Sequence, residues 1–140
     1  MNCLIDTNII SEIRKGERCN PRVAAWYASL EDESIYLSVL VLGEIRRGIE
    51  RVKPSDPAQA RALEAWLNEM TRSFADRILP IDREIADTWG RMGARRPLST
   101  TDALLAATAK VNGMTLITRN TSHVEGLGVS VFNPFEETSL

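Results

Sequence analysis

Histidine occurs once in these 140 residues, at position 123, and cysteine only twice, at positions 3 and 19. So few soft ligands argue against a zinc centre built from Cys and His clusters. They also give no dense disulfide framework, which points to a chain suited to a reducing cytosol. No window approaches the ~18 uninterrupted apolar residues that read as a membrane-spanning helix. The opening MNCLIDTNII does not read as a secretory leader, because it lacks a basic start and an acid at position 6 interrupts the apolar run. Neither sign of charge dominates: 17 basic and 19 acidic residues leave −2. A dedicated nucleic-acid binder is usually basic overall, so any such role here must rest on a local patch. Repeats and low-complexity tracts are absent as well. A cytoplasmic protein with no membrane partner is expected.

What remains is an ordinary globular composition, 44% hydrophobic and 26% charged. The length suits one domain over residues 1–140, able to bury roughly two-thirds of the surface its unfolded chain exposes. Short β-candidates are CLI (3–5), SIYLS (34–38), RILPI (77–81), MTLIT (114–118) and VSVF (129–132). Helical patterns separate most of them. Val39, Leu42, Ile45 and Ile49 form one apolar stripe, and Ala60, Leu63, Leu67, Met70 and Phe74 another. Asp56 before Pro57 reads as an N-cap and first helical position. A helix from near Asp82 is expected to bury Ile85, Trp89 and Met92, and one capped at Ser99 or Thr100 should end at Gly113. Strands alternating with helices predict an α/β fold: three layers, α/β/α, around a central parallel sheet of four to five strands. Pro80 marks the third strand as an edge or a strand end.

Ligands of such sheets bind beyond the carboxyl ends of the strands. Asp6 follows the first strand directly, Glu44 lies in the helix after the second, and Asp102 opens the helix that leads to the fourth. Each acid has a plainer use: Asp6 as a helix cap, Asp102 as a first-turn acid complementing the helix dipole, Glu44 as a partner of Arg47 or Arg51. Glu44, however, interrupts an otherwise apolar or small run from Leu37 to Ile45, where a carboxylate is costly unless paired or bound to a cation. Three converging carboxylates would repel, and a hard divalent cation relieves that repulsion. Mg²⁺ or Mn²⁺ takes oxygen ligands, keeps several waters and suits phosphodiester hydrolysis.

LIDTNII, LSVLVLGEIRRG, LSTTDALLAATA and LITRN, in that order, resemble the PIN-domain family, and within it the VapC-type toxins of bacterial toxin–antitoxin pairs, including the FitB-like branch. The resemblance implies a Mg²⁺- or Mn²⁺-dependent endoribonuclease acting on RNA, the toxin of a type II pair. It implies a cognate antitoxin and a homodimer, with a larger toxin–antitoxin assembly as an option. It implies Asp6, Glu44 and Asp102 as the acidic site, with Asp6 and Asp102 the direct metal ligands. Glu44 binds through water or orients the nucleophile. Thr7, Asn8 and Thr101 flank the acids as supporting residues, and Asn120 can add an oxygen ligand or hydrogen bond. His123 stands where many relatives carry a fourth acid, either as a bystander imidazole or as a ligand of Mn²⁺ or the scissile phosphate.

Arginine clusters near these positions: Arg46 and Arg47 beside Glu44, Arg95 and Arg96 before the Asp102 helix, Arg119 after the fourth strand. Together they form a candidate RNA phosphate groove. Singly, each also fits a solvated helix face. Because the fourth acid is missing, a non-catalytic module that holds RNA or a partner protein is the alternative function.

Overall fold

A computed structural model describes residues 1–94 and 97–137; Arg95 and Arg96 lie outside the described residues. Its elements run β1 (Cys3–Ile5), α1 (Thr7–Ile13), α2 (Pro21–Ala28), β2 (Ile35–Ser38), α3 (Val39–Val52), α4 (Pro57–Phe74), β3 (Ile78–Leu79), α5 (Arg83–Gly93), α6 (Thr100–Asn112), β4 (Thr115–Ile117), α7 (Thr121–Val124) and β5 (Val131–Phe132). The five strands pair in the order β3-β2-β1-β4-β5. Every pairing is parallel, with Leu4 opposite both Tyr36 and Leu116.

That order fixes the layers. From β1 the chain steps outward to β2 and β3, then returns across β1 to β4 and β5. Right-handed crossovers put the helices of the two excursions on opposite faces. Accordingly α1 packs on α2 and α3, and α3 on α4, while α5 packs on α6 and α6 on α7. The strand order reverses between β1 and β4, and a crevice opens at that point, beyond the carboxyl ends of the strands. β1 is apolar throughout and fully buried, because it is covered on both faces.

The helix boundaries follow local chemistry. Asn20, Ser38, Asp56, Asp82 and Ser99 accept backbone N–H bonds at the starts of α2, α3, α4, α5 and α6. Gly113 ends α6 at φ 64°, a left-handed conformation that suits glycine. Pro80 follows β3, which is an edge strand, as the missing donor requires. Two expected stripes are rotated. α3 buries Val41, Ile45 and Ile49 and leaves Val39 39% exposed. α5 buries only Ile85; Trp89 is 37% exposed and Met92 half-buried. α6 lies between the sheet and α5 and is buried from Leu105 through Ala109.

Glu12 is a buried acid outside the crevice. It accepts from Lys15 Nζ at 2.9 Å and from the Asn20 backbone at 2.8 Å, tying α1 to the start of α2. The Lys15 bond, then the Asn20 bond, hold its carboxyl below the ordinary value of 4.5. A depressed carboxyl stabilises the fold above its unfolded pKa, and that contribution disappears as pH falls through the folded value. Glu12→Gln should therefore lower the melting temperature at pH 7 and flatten its acid dependence below pH 4.5, read by circular dichroism melts.

Candidate active site

Asp6 occupies the N-cap of α1, where β1 ends. Its backbone N–H still donates to Ile117 of β4 at 2.9 Å, so the residue closes the ladder between the two central strands. Both carboxylate oxygens are held. Oδ1 accepts from the Thr7 N–H at 2.6 Å, and Oδ2 from the Thr118 hydroxyl at 2.8 Å. The capping use of Asp6 is thus real, yet each oxygen keeps a further lone pair. Asp6 is 7% exposed. Burial pushes its carboxyl above the ordinary value of 3.8; the Thr118 and Thr7 bonds pull it down, and the nearby charges of Glu44 and Asp102 push it up again. Charge on Asp6 therefore costs stability once the pH rises above its unfolded pKa, because the native state holds the proton more tightly there.

Glu44, half-buried on α3, accepts from the Thr7 hydroxyl at 2.5 Å. Asp102, in the first turn of α6, lies 3.2 Å from His123 Nδ1 on α7. The three acids come from different elements and share one field, as their joint effect on Asp6 requires. Even so, among the described residues no three His, Cys, Asp or Glu side chains approach closely enough to enclose one ion directly. The donor set fits a hydrated hard cation, which needs one or two protein carboxylates and keeps water for the rest. It does not fit an all-protein cage.

The supporting residues divide. Thr7 links Asp6 to Glu44, as above. Asn8 accepts from the Arg119 N–H at 3.2 Å and donates to Thr118 Oγ1 at 3.4 Å. The Asn120 N–H donates to Thr118 Oγ1 at 3.1 Å. Thr101 is half-buried, and its side chain forms no hydrogen bond among the described residues. Arg46 is turned to α4, donating to both oxygens of Glu64 (2.6 Å for one bond), with Glu50 3.7 Å away. Arg47 is exposed on α3 one turn after Glu44.

Thr118 is the residue the sequence reading missed. It is 2% exposed and bonds three parts of the site: Asp6, Asn8 and Asn120. The signal was present, because it is the polar residue at the carboxyl end of β4, the same placement that singles out Asp6. A cavity of about 260 Å³ beside Asp102 and His123, lined also by Pro97, Leu98 and Ser99, adjoins the acids. A larger one of about 740 Å³ lies between α5, α6 and the Gly126–Leu127 turn and contains no carboxylate, so size does not mark the site.

The model of the PIN domain matches residues 3–125. The chain belongs to the PIN-domain family. Toxin FitB of Neisseria gonorrhoeae is 33% identical over 142 residues, covering 96% of this chain and 99% of FitB. VapC ribonuclease Y4jK of Sinorhizobium fredii is 30% identical over 138 residues, covering 95% and 97%. Among solved structures, FitAcB from Neisseria gonorrhoeae superposes with a TM-score of 0.87 at 33% identity, covering 96% and 99%. The PIN fold of this chain is the expected three-layer α/β/α arrangement, with all five strands present.

Within this PIN fold Thr118 acts through Asp6. Thr118→Val removes the hydroxyl and keeps the volume, leaving Asp6 Oδ2 without its donor. A buried acceptor so orphaned costs about 1–3 kcal/mol. The expected result is an unfolding free energy lowered by that amount in urea denaturation, with Thr118→Ser close to the parent.

Proposed function

We propose that this PIN-domain protein is the toxin of a type II toxin–antitoxin pair, a cytoplasmic Mg²⁺- or Mn²⁺-dependent endoribonuclease. The observation that carries this reading is Asp6: a buried acid at the strand-order reversal, its carboxyl raised by burial and by the two acids facing it. The names of its relatives, a toxin and a VapC ribonuclease, support the substrate class. RNA is the substrate, a cognate antitoxin the protein partner, and a homodimer the working assembly.

Asp6 and Asp102 would hold the cation, with Glu44 reaching it through water. When bound, the ion activates a water and offsets charge building on the phosphate and leaving oxygen. Asp6 is oriented by Thr7 and Thr118, Glu44 by the Thr7 hydroxyl, and Asp102 by His123. Glu44 orients the attacking water, and Arg47 and Arg119 draw in the RNA backbone. Arg46 contributes less to that backbone, because Glu64 and Glu50 compete for its charge.

Induced expression of the parent and of Asp6→Ala tests the function. The parent should arrest growth and degrade RNA, and the variant should do neither. Direct cation binding is tested separately. Since the ion binds only the folded chain, Mg²⁺ at a hundredfold excess over its dissociation constant should add about 2.7 kcal/mol. That corresponds to a rise of roughly 10 °C in the melting temperature for a domain this size. An Asp6→Asn/Asp102→Asn double variant should lose most of the rise.

The absence, among the described residues, of three directly converging ligands favours one second reading, a PIN-fold module that binds RNA or a partner without cutting. It requires Asp6→Asn to leave the cellular effect intact.

A further inference from the structure

The arginines of this chain differ in what their guanidinium groups face. Arg46 is paired with Glu64 and Glu50, and Arg91 with Asp87. Arg119 has no carboxylate within ion-pair distance among the described residues, although its charge helps to depress the Glu12 carboxyl; it lies over an aromatic ring, with its Cζ 4.3 Å from the centre of Phe135. Both halves of this contact are anchored. The Arg119 N–H donates to Asn8 Oδ1 at 3.2 Å, and residue 119 directly follows the Thr118 that holds Asp6. The Phe135 N–H donates to Asn133 Oδ1 at 2.9 Å; Asn133 is itself 4% exposed, and its own N–H donates to Glu137 Oε2 at 2.8 Å. Arg22 adds a bond to the Glu136 carbonyl at 2.8 Å. The turn from Asn133 to Glu137 is therefore fixed, and the ring with it.

An exposed arginine held over an aromatic ring is placed to stack on a further planar group. Unpaired bases are recognised in this way, on arginine planes and aromatic rings, whereas bases inside a duplex are not available. We infer that the Arg119–Phe135 pair is a stacking subsite for one unpaired nucleobase of the substrate, next to the phosphate that the acids face. This rests on the ribonuclease reading of the same site, and it narrows the substrate to single-stranded or looped RNA. Phe135 acts through Arg119, setting the plane of its guanidinium.

The test uses eight-nucleotide single-stranded RNAs, each with 2-aminopurine at one position, titrated with full-length Asp6→Asn so that RNA is bound and not cut. One position should be strongly quenched. Arg119→Ala in that background should abolish the quench and weaken binding about tenfold, the stacking of one base. Arg119→Lys keeps the charge and should keep most salt-dependent affinity while losing the quench. Phe135→Leu should reduce the quench with the circular dichroism spectrum unchanged. If no position is quenched, or Arg119→Lys quenches like arginine, the subsite is wrong and Arg119 is a phosphate contact only. Quenching by a protein that cuts no RNA with added metal leaves the subsite standing and removes the catalytic reading. Cleavage without an Arg119-dependent quench does the reverse, and absence of RNA binding removes both.

Discussion

Asp6→Asn should reduce metal-dependent RNA cleavage by roughly 10³-fold, the scale of losing a preorganised charge at a reacting centre. The fold should survive the change. Asparagine keeps the size of the side chain and one acceptor oxygen, and it removes a buried charge whose carboxyl is already pushed up by burial, Glu44 and Asp102. Against that gain stands one lost bond, from either the Thr7 N–H or the Thr118 hydroxyl. These contributions are of similar size and opposite sign, so the metal-free melting temperature at pH 7 should move by only a few degrees. The pairing of a large activity loss with a small stability change is the discriminating result. If Asp6→Asn cleaves RNA within tenfold of the parent, the acid cluster is not the seat of hydrolysis. If the variant unfolds, the second oxygen of Asp6, bonded to Thr118, is chiefly structural. Asp102→Asn makes the same point from the other side of the crevice. Its carboxylate faces His123, not a backbone amide, so its removal disturbs no helix start.

The parts of this molecule that were legible beforehand are those written in local pattern. CLI is β1 to the residue, the α4 stripe is buried at Ala60, Leu67, Met70 and Phe74, and the caps at Asp56 and Ser99 hold. Gly113 adopts the conformation its position after α6 implied. What local pattern could not carry is contact between distant segments. Nothing near Val39 or Trp89 distinguishes a core position from a surface one, since both lie at helical spacing from buried neighbours. Which stripe faces inward depends on how the helix docks. Arg46 beside Glu44 invited a phosphate role, but Glu64, eighteen positions on and in another helix, takes its charge. Thr118 and Asp6 are separated by 112 positions and meet only because β1 and β4 are paired. The acids themselves were reachable because one rule of parallel sheets, that chemistry gathers beyond the strand ends, replaces distance along the chain with topology. α7 is a single turn, too short to show any period. It nevertheless brings His123 to Asp102.

Phe132→Ala should cost about 3–5 kcal/mol, the range for removing a buried aromatic ring. Phe132 is 1% exposed, although β5 is a two-residue edge strand that local propensity would scarcely hold. Its ring lies 6.0 Å from that of Trp26 on α2, a tilted pair that fastens the sheet edge to the helical layer. The loss would consume a large part of the 5–15 kcal/mol that usually separates folded from unfolded chains. A fall of roughly 10–20 °C in the melting temperature follows for a domain near this size. The effect reaches the site as well as the core. The Phe132 carbonyl accepts from the Thr118 N–H at 3.1 Å, and Thr118 is the residue that holds Asp6 Oδ2. A loosened β5 therefore loosens the support of the buried acid, and cleavage measured well below the midpoint should fall as well. Phe132→Leu, which refills most of the space, should recover most of the stability and, with it, the activity. Recovered stability without recovered activity would mean that the aromatic pair, and not the strand it secures, sets the position of Thr118. A loss below about 1 kcal/mol for Phe132→Ala would mean that β5 is not part of the cooperative core, because a filled cavity of this size cannot be emptied so cheaply.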